Sequence, residues 1–349
     1  MDKKNFYKLL KSVPKAEIHI HQEAVISKKT IKKVYKNGTG KILSEQEYES
    51  LFAYTDLAGF LDSFLKIQSY VDNIDDLNYF FDDFKQYLIK NNIIYCETFF
   101  SVTSYLKKGW AFHDLLDLVS KNIKKIKAET GRTVKILIDV SRSFGVENAM
   151  NNLNSVLKEN NPEVLGIGLG GNEKTGPAKD FTSVFDKTVK NGLHVVVHAG
   201  EICDYTSIED AIKFLHAERI GHGITAIQSE DFMAELKKSQ IPLEVCPTSN
   251  TFTKTIVKNI KEHPIKAFYD KGLMVTVNTD DPTFFKVSLI DEYWNLYKNL
   301  NFSLEDIKQL IKNGFRASFA SDSAKKKYCS LVEKEWKTWF AENPQCAKK

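Results

Sequence analysis

Short apolar, β-branched runs recur along the chain at intervals that leave room for a helix between neighbours. Eight are evident: residues 16–21, 93–99, 134–140, 164–169, 193–198, 219–221, 241–246 and 273–278. Most are too short for helices, and runs without polar alternation mark strands buried on both faces. The run at 219–221 is the weakest and rests on its place in the series. Between the runs the apolar positions switch to helical spacing, over 110–129, 146–159, 181–191, 208–216, 229–239 and 264–271. Ser303 with Asp306 three residues on forms a capping box that starts a helix after the eighth strand. Gly192 and Gly272 stand where helices are expected to stop.

Eight strand–helix repeats predict an α/β fold, a closed (β/α)8 TIM barrel forming a single domain over 1–349. An open doubly wound sheet lacks support, because no Gly-x-Gly-x-x-Gly turn follows the first strand. One connection breaks the rhythm. About 70 residues separate the first two strands, far beyond the usual few, and they read as helices over 28–36, 45–52, 58–70 and 75–91. Loops at the strand C-termini build a barrel's active site, so this helical insertion, 27–91, is a candidate lid. A peripheral cap with no gating role is an equal alternative.

Composition narrows the partners. The 349 residues, 42% hydrophobic and 27% charged, describe a globular chain able to bury a large core. A net charge of +4 gives no case for nucleic acid or a membrane surface, which call for a concentrated basic patch. Lysine runs at 124–125 and 325–327 read as solvated helix faces. The five cysteines, Cys96, Cys203, Cys246, Cys329 and Cys346, are widely spaced and form no Cys-x-x-Cys pair. That argues against a disulfide framework or a thiolate zinc site and fits a reducing, cytoplasmic compartment. No stretch approaches the roughly 20 apolar residues of a membrane span. A small-molecule substrate is the expected partner, and the pattern sets no oligomeric state.

The candidate chemistry gathers at the C-terminal ends of the predicted strands. His19 and His21 lie two apart on a strand, so they face the same way. Two histidines on one face of an apolar strand fit a metal better than packing, since each buried ring needs hydrogen-bond partners. His198 ends the fifth strand, and Glu201 follows past Ala199 and Gly200. His222 sits between two glycines after the sixth strand, and Asp280 and Asp281 end the eighth. On a barrel these ends share one face. Three histidines and an aspartate leave a divalent ion one position for water, whose pKa zinc lowers to about 7. His222 and Asp281 are placed to hold and deprotonate that water, and Glu201 to act as acid. A two-metal site would need a bridging ligand after the fourth strand, where the chain has Gly170-Gly171-Asn172-Glu173, so one ion is expected. His113, His216 and His263 fall on helices or loops, and His194 lies at the opposite end of its strand, which favours a structural role.

With these residues assembled, the chain resembles the adenosine deaminase family of the amidohydrolase superfamily. The resemblance is carried by Pro14-Lys15-Ala16-Glu17-Ile18-His19-Ile20-His21, His198-Ala199-Gly200-Glu201, Arg219-Ile220-Gly221-His222-Gly223, Cys246-Pro247-Thr248-Ser249-Asn250 and Asn278-Thr279-Asp280-Asp281-Pro282. It implies one zinc ion held by His19, His21, His198 and Asp280. It implies Glu201 as proton donor to N1 of a 6-aminopurine, His222 beside the attacking water, and Asp281 orienting that water and touching the purine. Substrate contacts are further implied for His21, for Gly171 through its backbone, and for Glu23. Attack at C6 with loss of ammonia would turn the amine into a carbonyl.

The resemblance leaves several substrates open. His21-Gln22-Glu23-Ala24 replaces the more usual His-Leu-Asp-Gly, so the contact with the ribose end is altered. Glu97-Thr98-Phe99-Phe100 lacks the usual arginine. Both features resemble adenine deaminases, but those carry Asp-Ser where this chain has Gly170-Gly171. Adenosine or a related nucleoside ranks first, 6-aminodeoxyfutalosine second and adenine third. Other classes are a metal-dependent phosphoester or amide hydrolase and a catalytically silent nucleoside-binding paralogue.

Overall fold

Eight strands hydrogen-bond in chain order: β1 (Lys15–Glu17), β2 (Ile93–Ser101), β3 (Thr133–Ser141), β4 (Val164–Gly170), β5 (His194–Ala199), β6 (Arg219–His222), β7 (Leu243–Val245) and β8 (Val275–Val277). The computed structural model describes residues 1–253 and 256–346. All neighbouring pairs are parallel, as the expected (β/α)8 barrel requires. After α1 (Lys3–Ser12) and β1 come four helices in the long connection: α2 (Lys28–Thr39), α3 (Glu45–Ser50), α4 (Leu57–Ser69) and α5 (Leu77–Lys90). The outer ring follows as α6 (Phe112–Thr130), α7 (Gly145–Glu159), α8 (Thr182–Lys190), α9 (Thr206–Leu215), α10 (Glu230–Ser239) and α11 (Ile265–Lys271). Then α12 (Leu289–Asn299), α13 (Leu304–Ala317) and α14 (Asp322–Glu342) complete the chain's long helices. Ser303 and Asp306 form the reciprocal capping box at the start of α13.

Three strands are shorter than the apolar runs that announce them. β1, β7 and β8 have three residues each, because the residues beyond them leave the ladder to serve the barrel mouth. The seam between β1 and β8 shows how. It carries no ladder, only a parallel bridge of Ile20 with Asp280. His21 N–H donates to the Asp280 carbonyl at 3.0 Å, and Asp280 N–H to the His19 carbonyl at 3.1 Å. Side chains do the rest. Asn278 Oδ1 accepts from the backbone N–H groups of Ile18 and His19 at 3.0 and 3.1 Å. Glu17 accepts the Thr279 N–H at 3.0 Å and its hydroxyl at 2.6 Å. The ring is thus drawn together by the same segments that carry the candidate chemistry.

Within the long connection, α4 lies at the C-terminal mouth. Phe60 and Phe64 of α4 pack on Phe285 and Phe284, with ring centroids 5.1 and 5.7 Å apart. Among the described residues no helix is long and apolar enough to cross a membrane.

Candidate active site

Strand ends bring His19, His21, His198 and Asp280 together, with one ligand-type atom from each lying within 4.8 Å of all the others. The Nε2 atoms of His21 and His19 stand 3.3 and 3.4 Å from Asp280 Oδ1. His19 Nε2 is buried with no hydrogen-bond partner, which is unfavourable unless something outside the chain takes it up. β6 passes so close that a Cβ on Gly221 would stand 2.6 Å from the His19 ring, so only glycine fits there. Burial by itself pulls the His19 pKa down, yet the adjacent carboxylates of Asp280 and Glu244 lift it to about 9. Burial likewise opposes ionisation of Asp280, but His19 and His21 hold it well below the usual carboxylate range. The pocket therefore favours positive charge at its centre. Three imidazoles, one carboxylate and an unsatisfied buried nitrogen fit a divalent metal ion.

Charges behind the cluster run through the barrel interior. His19 Nδ1 is 2.7 Å from Glu244 Oε2, and Glu244 Oε1 is 2.6 Å from Arg219 Nε. Arg219 Nη1 in turn meets Glu97 Oε2 at 2.5 Å. All four side chains are buried. An arginine between two glutamates meets the requirement that buried charges be paired.

Glu201, His222 and Asp281 surround the cluster. His222 Nε2 lies 3.7 Å from Glu201 Oε2 and 4.0 Å from Asp280 Oδ2. Burial, with Asp280 and Glu173 nearby, raises Glu201 well above the ordinary carboxylate range, which favours its protonated form. Burial and the adjacent Asp280 also raise Asp281, whose Oδ1 has no partner. Burial lowers His222 to about 3. His222 and Asp280 both hold left-handed backbone, φ 63° and 62°, a conformation that costs energy outside glycine and clusters at functional sites. Glu173 holds the turn bearing Glu201. Its Oε1 accepts the N–H groups of Glu201 and Ile202, and its Oε2 those of Gly200 and the Ser207 hydroxyl, all at 2.9 Å.

A cavity of about 550 Å³ opens beside these groups. His21, His198, Glu201, His222, Asp280 and Asp281 line it, as does Gly171. Gly171 has φ 85°, and a Cβ would meet Ser141 Oγ at 2.6 Å, so its bare backbone faces the space. The lining also includes α4, from Leu57 to Gln68, and Ser101 and Asp139 on β2 and β3. Glu23 stands apart. It is buried outside the lining, accepts the Ser101 N–H at 2.8 Å, and is pushed by burial up to about 8.

Sequence reading misses Glu244, Glu173, Asp139, Asn250 and His263 as parts of the site. The one visible signal is a lone acid, Glu244, inside an apolar strand. His263 lies on the loop before α11, as expected, and is buried there. His194 stacks on Phe319 and pairs with Glu218, while His113 and His216 pair at the surface with Glu159 and Asp186.

A (β/α)8 barrel with a histidine–aspartate cluster at its C-terminal mouth defines an amidohydrolase-type enzyme. The chain belongs to the adenosine deaminase family, whose model matches residues 14–335, and it is a hydrolase acting on C–N bonds. It is 33% identical to an adenine deaminase of Psychrobacter cryohalolentis, over 93% of this chain and 98% of that one. To an adenosine deaminase of Clostridium acetobutylicum it is 36% identical, over 68% and 70% of the two chains. The structure of an adenine deaminase from Arthrobacter aurescens superposes with a TM-score of 0.88 at 27% identity, covering 92% of this chain and 98% of that one.

Proposed function

We propose that the protein is a zinc-dependent hydrolytic deaminase of a 6-aminopurine nucleoside, converting an adenosine-type substrate to an inosine-type product and ammonia. The observation that carries this reading is the placing of Glu201, His222 and Asp281 around the four-residue cluster at one end of the cavity. His19, His21, His198 and Asp280 would hold the ion, which supplies Lewis acidity towards water. Asp281, buried and with a free oxygen, takes the proton of the attacking water, and His222 holds that water. Glu201 delivers its proton to N1 as water adds at C6. Asp281 passes its proton to the amino group, the C6–N bond breaks, ammonia leaves, and the C6 hydroxyl becomes a carbonyl as its proton returns to Glu201. Gly171 would contact the base through its backbone, and His21 would border the substrate. Glu23 would act on the substrate's far end through the Ser101 segment.

The cavity supports a nucleoside over a bare base. Free adenine would leave most of about 550 Å³ empty. Ser101, Asp139 and Gln68 in the lining offer polar partners to sugar hydroxyls, and both amide atoms of Gln68 are buried without a partner. Free adenine is the second reading, favoured by the 33% identical relative of that name. Ammonia release and ultraviolet change on adenosine, deoxyadenosine, 6-aminodeoxyfutalosine and adenine in parallel will rank them. Turnover of none would sink the proposal. Glu201→Gln is expected to lose about 10²–10⁴ in rate, the usual contribution of a general acid, while metal analysis still finds one zinc per chain.

A further inference from the structure

The histidines of the site differ in what faces their Nδ1 atoms. Glu244 faces His19 Nδ1 at 2.7 Å, and the Leu169 carbonyl faces His198 Nδ1 at 3.1 Å. Both partners can only accept. Each neutral ring therefore carries its proton on Nδ1 and presents a lone pair from Nε2. His222 Nδ1 instead meets Asn250 Nδ2 at 3.2 Å.

Which end of the Asn250 amide faces His222 follows from the next residue along. His263 Nδ1 lies 3.1 Å from the backbone nitrogen of Ile265, and a backbone N–H can only donate. Burial lowers His263 to about 3, so the ring is neutral and its one proton sits on Nε2. That proton points at Asn250 Oδ1, 3.1 Å away. The amide oxygen thus faces His263, its NH2 faces His222, and His222 must hold its own proton on Nε2.

We infer that Asn250 and His263 are positioning residues that lock His222 as the Nε2–H tautomer. They separate a hydrogen-bond donor in the site from the two histidines that offer lone pairs. His222 is close enough to be drawn into the ligand set, since its ring centroid is 5.0 Å from that of His19. A hydrogen on Nε2 bars it. The catalytic consequence rests on the proposed deamination: His222 orients water by donating, and the proton must go to Asp281. The tautomer itself rests on the hydrogen-bond chain alone.

Nitrogen NMR on metal-free protein with labelled histidine tests this directly. Wild-type His222 is expected to carry hydrogen on Nε2. Asn250→Asp sets a carboxylate oxygen against Nδ1, as Glu244 does for His19, and is expected to move the proton to Nδ1. Activity should then fall about 10- to 100-fold, as for other groups that orient site ligands. His263→Phe should give a mixture of tautomers, and His263→Gln, whose amide can donate to Asn250, should restore the Nε2–H form. A wild-type ring protonated on Nδ1, or ring signals unchanged in both Asn250→Asp and His263→Phe, overturns the inference. The expected tautomer in a protein that turns over no aminopurine would remove the proposed deaminase and leave the lock standing.

Discussion

Glu244 divides its two oxygens between His19 and Arg219. The first contact fixes which nitrogen of His19 faces the cluster, and the second keeps a buried carboxylate neutralised. Glu244→Gln keeps the shape and removes the charge, so the ring is oriented less firmly and is less basic. Metal affinity is expected to drop about 10- to 100-fold, read by competition with a chelator, while the fold persists. Truncation to alanine would be harsher, because it strips Arg219 of one of its two carboxylates in a dry interior. Breaking such a buried pair costs about 3–5 kcal/mol, measurable by denaturant unfolding. Neither role shows in the sequence, where a glutamate between Leu243 and Val245 has no visible partner.

The turn after β4 and the turn after β5 behave as one unit because Glu173 spans them. Its carboxylate takes three backbone N–H groups and the Ser207 hydroxyl. Glutamine in its place has one accepting oxygen and turns an NH2 towards donors. Each buried donor left unmade costs about 1–3 kcal/mol, so Glu173→Gln should unfold at lower urea and lose rate through a displaced Glu201, with metal content intact. Long elements of this kind of fold are legible from pattern: the helices of the insertion and the outer ring fall within a few residues of their expected bounds. The ends of β1, β7 and β8 are not. At Ile18, His19 and Thr279 the backbone bonds to side chains across the seam, and no hydrophobic period records that. The helix at Leu57–Ser69 is legible as a helix, but its place in the cavity wall depends on Phe60 and Phe64 meeting Phe284 and Phe285, more than 200 residues away in sequence.

At the scale of the whole barrel, the ligand set spans the one gap in the ring. His19 and His21 follow β1, Asp280 follows β8, and His198 closes the triangle from β5. An ion bound there ties β1 to β8 where a single backbone bridge and a few side-chain hydrogen bonds join them. Binding at a thousand times Kd adds about 4 kcal/mol to stability, so chelation is expected to lower Tm. Asn278→Ala, which loses both seam hydrogen bonds, should deepen that loss in calorimetry, and an equal Tm with and without chelator would contradict the account. Helix α4 has the opposite relation to the chemistry. From Leu57 to Gln68 it shapes the cavity, yet it supplies none of the ligand or proton-handling residues, which sit on strand ends. Reactivity and selectivity are therefore inherited separately: exchanging one uninterrupted stretch of chain between relatives would transplant the preference for a substrate's outer half and leave the hydrolytic machinery in place.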